Sequence, residues 1–140
     1  MTLNAFTDGA SRGNPGEAGI GIIVKDEAKN TLLSLHGSIG VTTNNIAEYT
    51  ALVTLLERIS VFPCAQLVIH SDSELLVRQI NGEYRVRDRG LKALYHKAIA
   101  LKEALPFACS VRHIPREENR EADRLANRGI EEKRPVGRNV

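Results

Sequence analysis

No hydrophobic run in this 140-residue sequence reaches the roughly 18–20 apolar residues that a membrane-spanning helix needs. The chain turns polar at Thr7, Asp8 and Gly9, too early for a signal peptide, so a soluble, cytoplasmic protein is expected. Cysteine is nearly absent. Cys64 and Cys109 stand alone, with no second Cys or His at zinc-ligand spacing, which argues against a structural zinc site. Two reduced, largely buried thiols are expected instead, with a disulfide left open. Charge of one sign is missing too: 19 Lys and Arg balance 17 Asp and Glu for a formal charge of +2, so any nucleic-acid binding has to come from local patches. Internal repeats are also missing, which argues against a solenoid. What remains is a chain with 42% hydrophobic residues, enough for one core and too short for two. One monomeric domain over residues 1–133 is expected, followed by a flexible basic tail over 134–140.

Periodicity gives the order of elements. Leu3–Thr7 reads as a strand leading into a tight Gly/Asn/Pro-rich loop, Gly9–Gly16, which places Asp8 at a strand's end. Ile20–Val24 and Thr31–Ile39 read as a hairpin pair. Asn44–Ser60 has helical spacing at Ile46, Tyr49, Val53 and Leu56, with Thr42, Thr43 or Asn44 as its cap and Glu48 in the first turn or two. A strand over Leu67–Ile69 runs into Ser71 and Asp72. Ser73 caps a helix to Ile80, a second helix runs from Leu91 to Leu105, and Phe107–Ile114 is a fifth strand. After Pro115 a last helix buries Ala122, Leu125, Ala126 and Ile130, with Asp123 near the same edge. Three strands, helix, strand, two helices, strand, helix is an α/β order. It implies a mixed five-stranded sheet, strands 1–3 antiparallel, with helices on both faces. Sites in such sheets form at strand ends near a change of strand order, which would make Asp8 and Asp72 neighbours.

A cluster of Asp8, Glu48, Asp72 and Asp123 would repel itself unless cations neutralised it. Oxygen-only ligands suit Mg²⁺, and two such ions roughly 3.5–4 Å apart can drive an in-line phosphoryl displacement. Spacing alone leaves the plainer readings open, with Glu48 favouring a helix dipole and Asp123 merely solvated.

The sequence around each carboxylate is more informative. Asp8-Gly9-Ala10-Ser11-Arg12-Gly13-Asn14-Pro15-Gly16, Thr42-Thr43-Asn44-Asn45-Ile46-Ala47-Glu48, Ser71-Asp72-Ser73 and Arg116-Glu117-Glu118-Asn119-Arg120-Glu121-Ala122-Asp123 closely resemble, in order, the signatures of type 1 ribonuclease H. The resemblance spans Asp8 to about Asn127. It implies a ribonuclease H-like fold and a metal-binding, catalytic quartet of Asp8, Glu48, Asp72 and Asp123. The implied activity is two-metal hydrolysis, with Mg²⁺ or Mn²⁺ as its substitute, of the RNA strand of RNA–DNA hybrids to 5′-phosphate and 3′-hydroxyl ends. Asn14, Thr43, Asn44 and Asn45 are implied to hold the hybrid; their side chains suit ribose hydroxyls and phosphate, although Thr43 and Asn44 equally suit helix capping. Glu74 stands where many relatives carry Gln, which puts its substrate role in doubt. For a general acid or base near the last carboxylate the candidates are His113 and, without titrating, Arg116. The basic, Trp-rich insertion of many relatives is missing between Gly82 and Gly90, where Arg78, Arg85, Arg87, Arg89 and Lys92 form either a replacement phosphate grip or a solvated turn. The competing functions are a DNA-directed nuclease on the same fold and a non-catalytic hybrid-binding module.

Overall fold

A computed structural model describes residues 1–136. Five strands, β1 (Thr2–Ser11), β2 (Gly16–Lys25), β3 (Thr31–Thr42), β4 (Gln66–Ser71) and β5 (Ala108–His113), form one sheet in the order β3-β2-β1-β4-β5. The β1–β2 and β2–β3 pairings are antiparallel, whereas β1–β4 and β4–β5 are parallel. The expected mixed sheet is therefore present, and β1 is the strand on which its sense changes.

The helices are α1 (Asn44–Ile59), α2 (Glu74–Ile80), α3 (Arg89–Glu103) and α4 (Arg120–Glu132), with a 3₁₀ turn at Arg116–Glu118 before α4. Strand alternation assigns α1 and α4 to opposite faces. Ile20, Ile22 and Val24 of β2 join Leu3 and Ala5 of β1 and Leu52, Leu55 and Ile59 of α1 in the main core. The intervening Gly19 and Gly21 face α4, so closely that an added Cβ would overlap the Ala122 carbonyl oxygen at Gly21 and approach the Ala126 carbonyl oxygen to 2.5 Å at Gly19. Small residues on both sides thus let α4 lie directly on β2. Helix α3 packs on α1. A buried hydrogen bond, Tyr49 Oη donating to Gln79 Oε1 at 2.7 Å, ties α1 to α2.

Several sequence expectations change, among them the start of β2, which lies at Gly16 and not Ile20, and the burial of Leu125, which is only partial. Strand β1 continues to Ser11, because residues up to Ser11 keep their partners on β2, so the expected Gly9–Gly16 loop shrinks to residues 12–15 and Asp8 lies inside a strand, not at its end. Strand β3 likewise runs on to Thr42, directly before the helix cap. Of the stretch expected as a tail, Arg134–Val136 lies along β3: the Arg134 carbonyl accepts from Ser38 N–H, and Val136 packs at the core's edge beside Gly37. Residues 137–140 of that stretch lie outside the described residues.

Candidate active site

Strand β4 is shorter than its neighbour. The last parallel pair is Thr7 with Ser71, and β1 carries on beyond it. From Asp8 onward one edge of β1 therefore has no strand beside it, and the four carboxylates gather there. Asp8 sits opposite Gly21 across the antiparallel pair, on the face covered by α4. Asp72 follows β4 immediately, where Ser71 Oγ accepts from Ser73 N–H at 3.1 Å and Ser73 Oγ caps α2 by accepting from Leu76 N–H at 3.2 Å. These local bonds turn the chain sharply and hold Asp72 at the bend.

Glu48 arrives from the other face. Thr43 caps α1, its Oγ1 accepting from Ile46 N–H at 3.3 Å, which fixes the start of the helix. Glu48 lies one turn further on, buried, with Oε1 accepting from Gly9 N–H at 2.8 Å. That N–H points to the unpaired edge of β1, where Glu48 takes the place of a missing strand. Gly9 is required here because a Cβ would overlap the carbonyl carbon of Ala47 and the nitrogen of Glu48. Asp123 completes the group from the first turn of α4, with Asn127 Nδ2 donating to its backbone carbonyl at 2.9 Å.

One carboxylate oxygen each from Asp8, Glu48 and Asp72 lies within 4.8 Å of the others. Asp123 lines the same cleft as these three. Burial, then Glu48, Asp72 and Asp123 in turn, push the Asp8 carboxyl up to about 9. Glu48 is also raised, by burial first and by Asp72 next, while the Gly9 N–H and the Arg116 guanidinium pull it back. The cleft between these groups is lined by Asp8, Glu48, Asp72 and Asp123 together with Gly9, Ala10, Asn44, Ser73 and Arg116. Four acids and one cation around a single cleft form a cation trap, and its oxygen-only donors fit hard divalent ions.

The other expected residues divide. Asn44 and Arg116 line the cleft. Asn14 stands just outside it, its Oδ1 accepting from Asn44 N–H at 3.1 Å and so tying the β1–β2 loop to the start of α1. Thr43 serves as the helix cap, and Asn45 is exposed on the first turn of α1. Glu74 pairs with Arg78, Oε2 to Nη2 at 2.9 Å, and is not part of the cleft wall. Nor is His113, exposed at the end of β5. Of the basic residues around the α2–α3 connection, Arg78, in the last turn of α2, is held by Glu74 and Glu83 and stacks over Tyr84, whereas Arg85, Arg87, Arg89 and Lys92 are exposed. Sequence reading assigned no role to Asn119, which is 1% exposed and donates from Nδ2 to Thr7 O at 2.9 Å and to Asp72 Oδ2 at 3.1 Å. Its sequence position, just before a helix, signals only a cap; the long-range bonds have no local signature.

Comparison with known proteins identifies relatives of this chain. Residues 6–129 match a family described as reverse transcriptase-like. The chain is 34% identical to the ribonuclease H of Alkalilimnicola ehrlichii, covering 96% of this chain and 99% of that one. The chain belongs to the type 1 ribonuclease H family. It is also 34% identical to the ribonuclease HI of Halobacterium salinarum over 93% of its own length, but spans only 65% of that relative, and it spans 35% of the bifunctional protein Rv2228c of Mycobacterium tuberculosis. Among solved structures, LC11-RNase H1 in complex with an RNA/DNA hybrid superposes with a TM-score of 0.87 at 41% identity, covering 93% of this chain and 97% of that one. RNase H1 of the halophilic archaeon Halobacterium salinarum superposes at 0.88 with 33% identity, covering 94% and 99%. Within the family this is a short form: only residues 81–88 connect α2 to α3, with no basic helix inserted.

Proposed function

We propose that this chain is a metal-dependent endonuclease that hydrolyses the RNA strand of RNA–DNA hybrids. The observation that carries the proposal is the convergence of Asp8, Glu48 and Asp72, with Asp123 beside them, at the unpaired edge of β1. Carboxylates held together at this cost to their ionisation favour a catalytic cation site over an inert, binding-only module. The hybrid bound to LC11-RNase H1, which is similar over nearly its full length, supports hybrid over duplex DNA as substrate.

Asp8, Glu48, Asp72 and Asp123 would hold two Mg²⁺ ions, with Mn²⁺ as a substitute. Such ions, when bound, supply an activated water and charge stabilisation at the departing oxygen. The protein's own part is to place the acids and the phosphate. Asp8 and Asp72 approach from adjacent strands and Glu48 and Asp123 from helices on opposite faces, so the scissile phosphate is met from two sides. Asn44, on the cleft wall, would contact a ribose 2′-hydroxyl, the group that separates RNA from DNA. Asn14 steadies it from behind, and Thr43 and Asn45 flank it on the same turn. Water attacks phosphorus as the bond to the 3′ oxygen breaks, and the leaving oxygen takes a proton to become a 3′-hydroxyl while the phosphate stays on the 5′ end. Its place on the wall supports Arg116 over His113 as the side chain that meets the phosphate; a guanidinium can bind it bidentately but does not titrate. Glu74, already paired with Arg78, is set apart from this step. The free Cys64 and Cys109 suit a reducing cytoplasm, and a monomer suffices because one chain supplies every group.

Product-end mapping tests the proposal. RNA fragments from a Mg²⁺ reaction should carry 5′-phosphates that a phosphatase removes and 3′-hydroxyls that a polymerase extends. Fragments with 2′,3′-cyclic phosphate ends would contradict it, because they require the ribose 2′-hydroxyl, not water, as nucleophile.

A further inference from the structure

Asn119 is buried at the junction of three elements, and its hydrogen bonds are unusual for a residue at a helix start. Its side chain makes no capping bond to α4; its backbone carbonyl does that work, accepting from Asp123 N–H at 3.0 Å. The side-chain amide turns inward instead, and Nδ2 donates to Thr7 O at 2.9 Å and to Asp72 Oδ2 at 3.1 Å. Two acceptors on one atom fix the orientation of the amide, since the flipped form would set its oxygen against both. The opposite atom, Oδ1, is buried without a partner. An unpaired buried oxygen costs stability, so Asn119 is a poor choice for packing alone and is explained by what its donor does.

That donor engages one of the two oxygens of Asp72. Three of the four acids are referenced to this one residue: Asp72 through Oδ2, Asp8 through the carbonyl of Thr7 just before it, and Asp123 through the backbone cap. Resting on the metal-dependent reading above, we propose that Asn119 is a positioning residue: by holding Asp72 Oδ2 and the end of the β1–β4 pairing, it leaves Asp72 Oδ1 as the oxygen offered to a divalent cation. A carboxylate with one oxygen already bound is restricted in rotation, so less freedom is lost when a cation arrives. Partners of metal-binding side chains commonly change metal affinity by roughly 10–100-fold when removed.

The test is calorimetric Mn²⁺ binding to the whole protein, wild type against Asn119→Ala, alongside hybrid cleavage at increasing Mn²⁺. The dissociation constant should rise at least roughly 10-fold, the half-activating concentration should move with it, and kcat at saturating Mn²⁺ should return close to the wild-type value. A merely structural residue would lower kcat at every metal concentration and leave affinity alone. A folded Asn119→Ala with wild-type Mn²⁺ affinity overturns the inference while the functional reading stands. A wild type that neither binds Mn²⁺ nor cleaves hybrid overturns both. Should Asn119→Ala fail to fold by circular dichroism, a Mg²⁺ titration of the wild type followed at the Asn119 side-chain amide by NMR asks the same question. Shifts that saturate with Mg²⁺ support the link through Asp72, and static resonances overturn it.

Discussion

Replacing Asp8 with Asn should make the metal-free protein more stable while destroying its activity. Its carboxyl is pushed up to about 9, by burial first and then by Glu48, Asp72 and Asp123, whereas in an unfolded chain it titrates near 3.9. A group raised in the folded state costs folding nothing below its unfolded pKa, and penalises it progressively as pH climbs toward the folded value. The window runs from about 4 to about 9. At about 1.36 kcal/mol per unit, the climb to about pH 7.5 sets a ceiling near 5 kcal/mol. Asn still pays for burying a polar group, and water entering the cleft screens the repulsion, so a gain of about 2 kcal/mol is expected. For a chain of this length that is a rise in Tm of roughly 6 °C. The assay is thermal unfolding in EDTA near pH 7.5 and again near pH 4.5, where the gain should nearly vanish. Mg²⁺ should narrow the difference at neutral pH, because the wild type binds it more tightly. An Asp8→Asn protein less stable than wild type in EDTA at neutral pH, or equally stabilised at both pH values, would refute the reasoning.

Asp72→Asn should retain the fold by circular dichroism and lose at least ~100-fold in hybrid cleavage under fixed Mg²⁺, since it keeps the shape of a ligand without its charge. Gly9→Ala forces β1 away from α1 at Ala47 and Glu48, and denaturant unfolding should show a loss of about 3 kcal/mol with activity falling further than stability explains. For Arg116→Ala, steady-state kinetics should show a raised KM, and hybrid binding should lose about one unit of its logarithmic salt slope, as expected for a phosphate contact. His113→Ala should leave the pH profile of kcat unchanged if Arg116 is the side chain that meets the phosphate; loss of an ionisation from that profile would return His113 to the site.

The sequence patterns recovered the order of elements because nearly every strand and helix carries its own period, and Pro63, Asn81-Gly82 and Pro115 mark breaks between them. Ends were harder to read. Asp8 looked like the last residue of a strand because Gly9, Ala10 and Ser11 have no apolar alternation, yet pairing to Ala18–Ile20 extends β1 past them. The four carboxylates were legible through their motifs, but their depth was not. That Glu48 is buried follows from its contact with Gly9, 39 residues away, and from a close approach that only glycine permits. Asn119 shows the same limit, since its partners, Thr7 and Asp72, lie far away in the chain. Arg134–Val136 read as a tail because three residues carry no period, while their attachment depends on the edge of β3.

The most direct measurement is cleavage of an end-labelled RNA–DNA hybrid with Mg²⁺, with and without EDTA, beside matched duplex DNA and duplex RNA. The account predicts cuts within the RNA strand of the hybrid that EDTA abolishes, with duplex DNA left intact. Tight hybrid binding without any cleavage, or cleavage that EDTA does not stop, would contradict it.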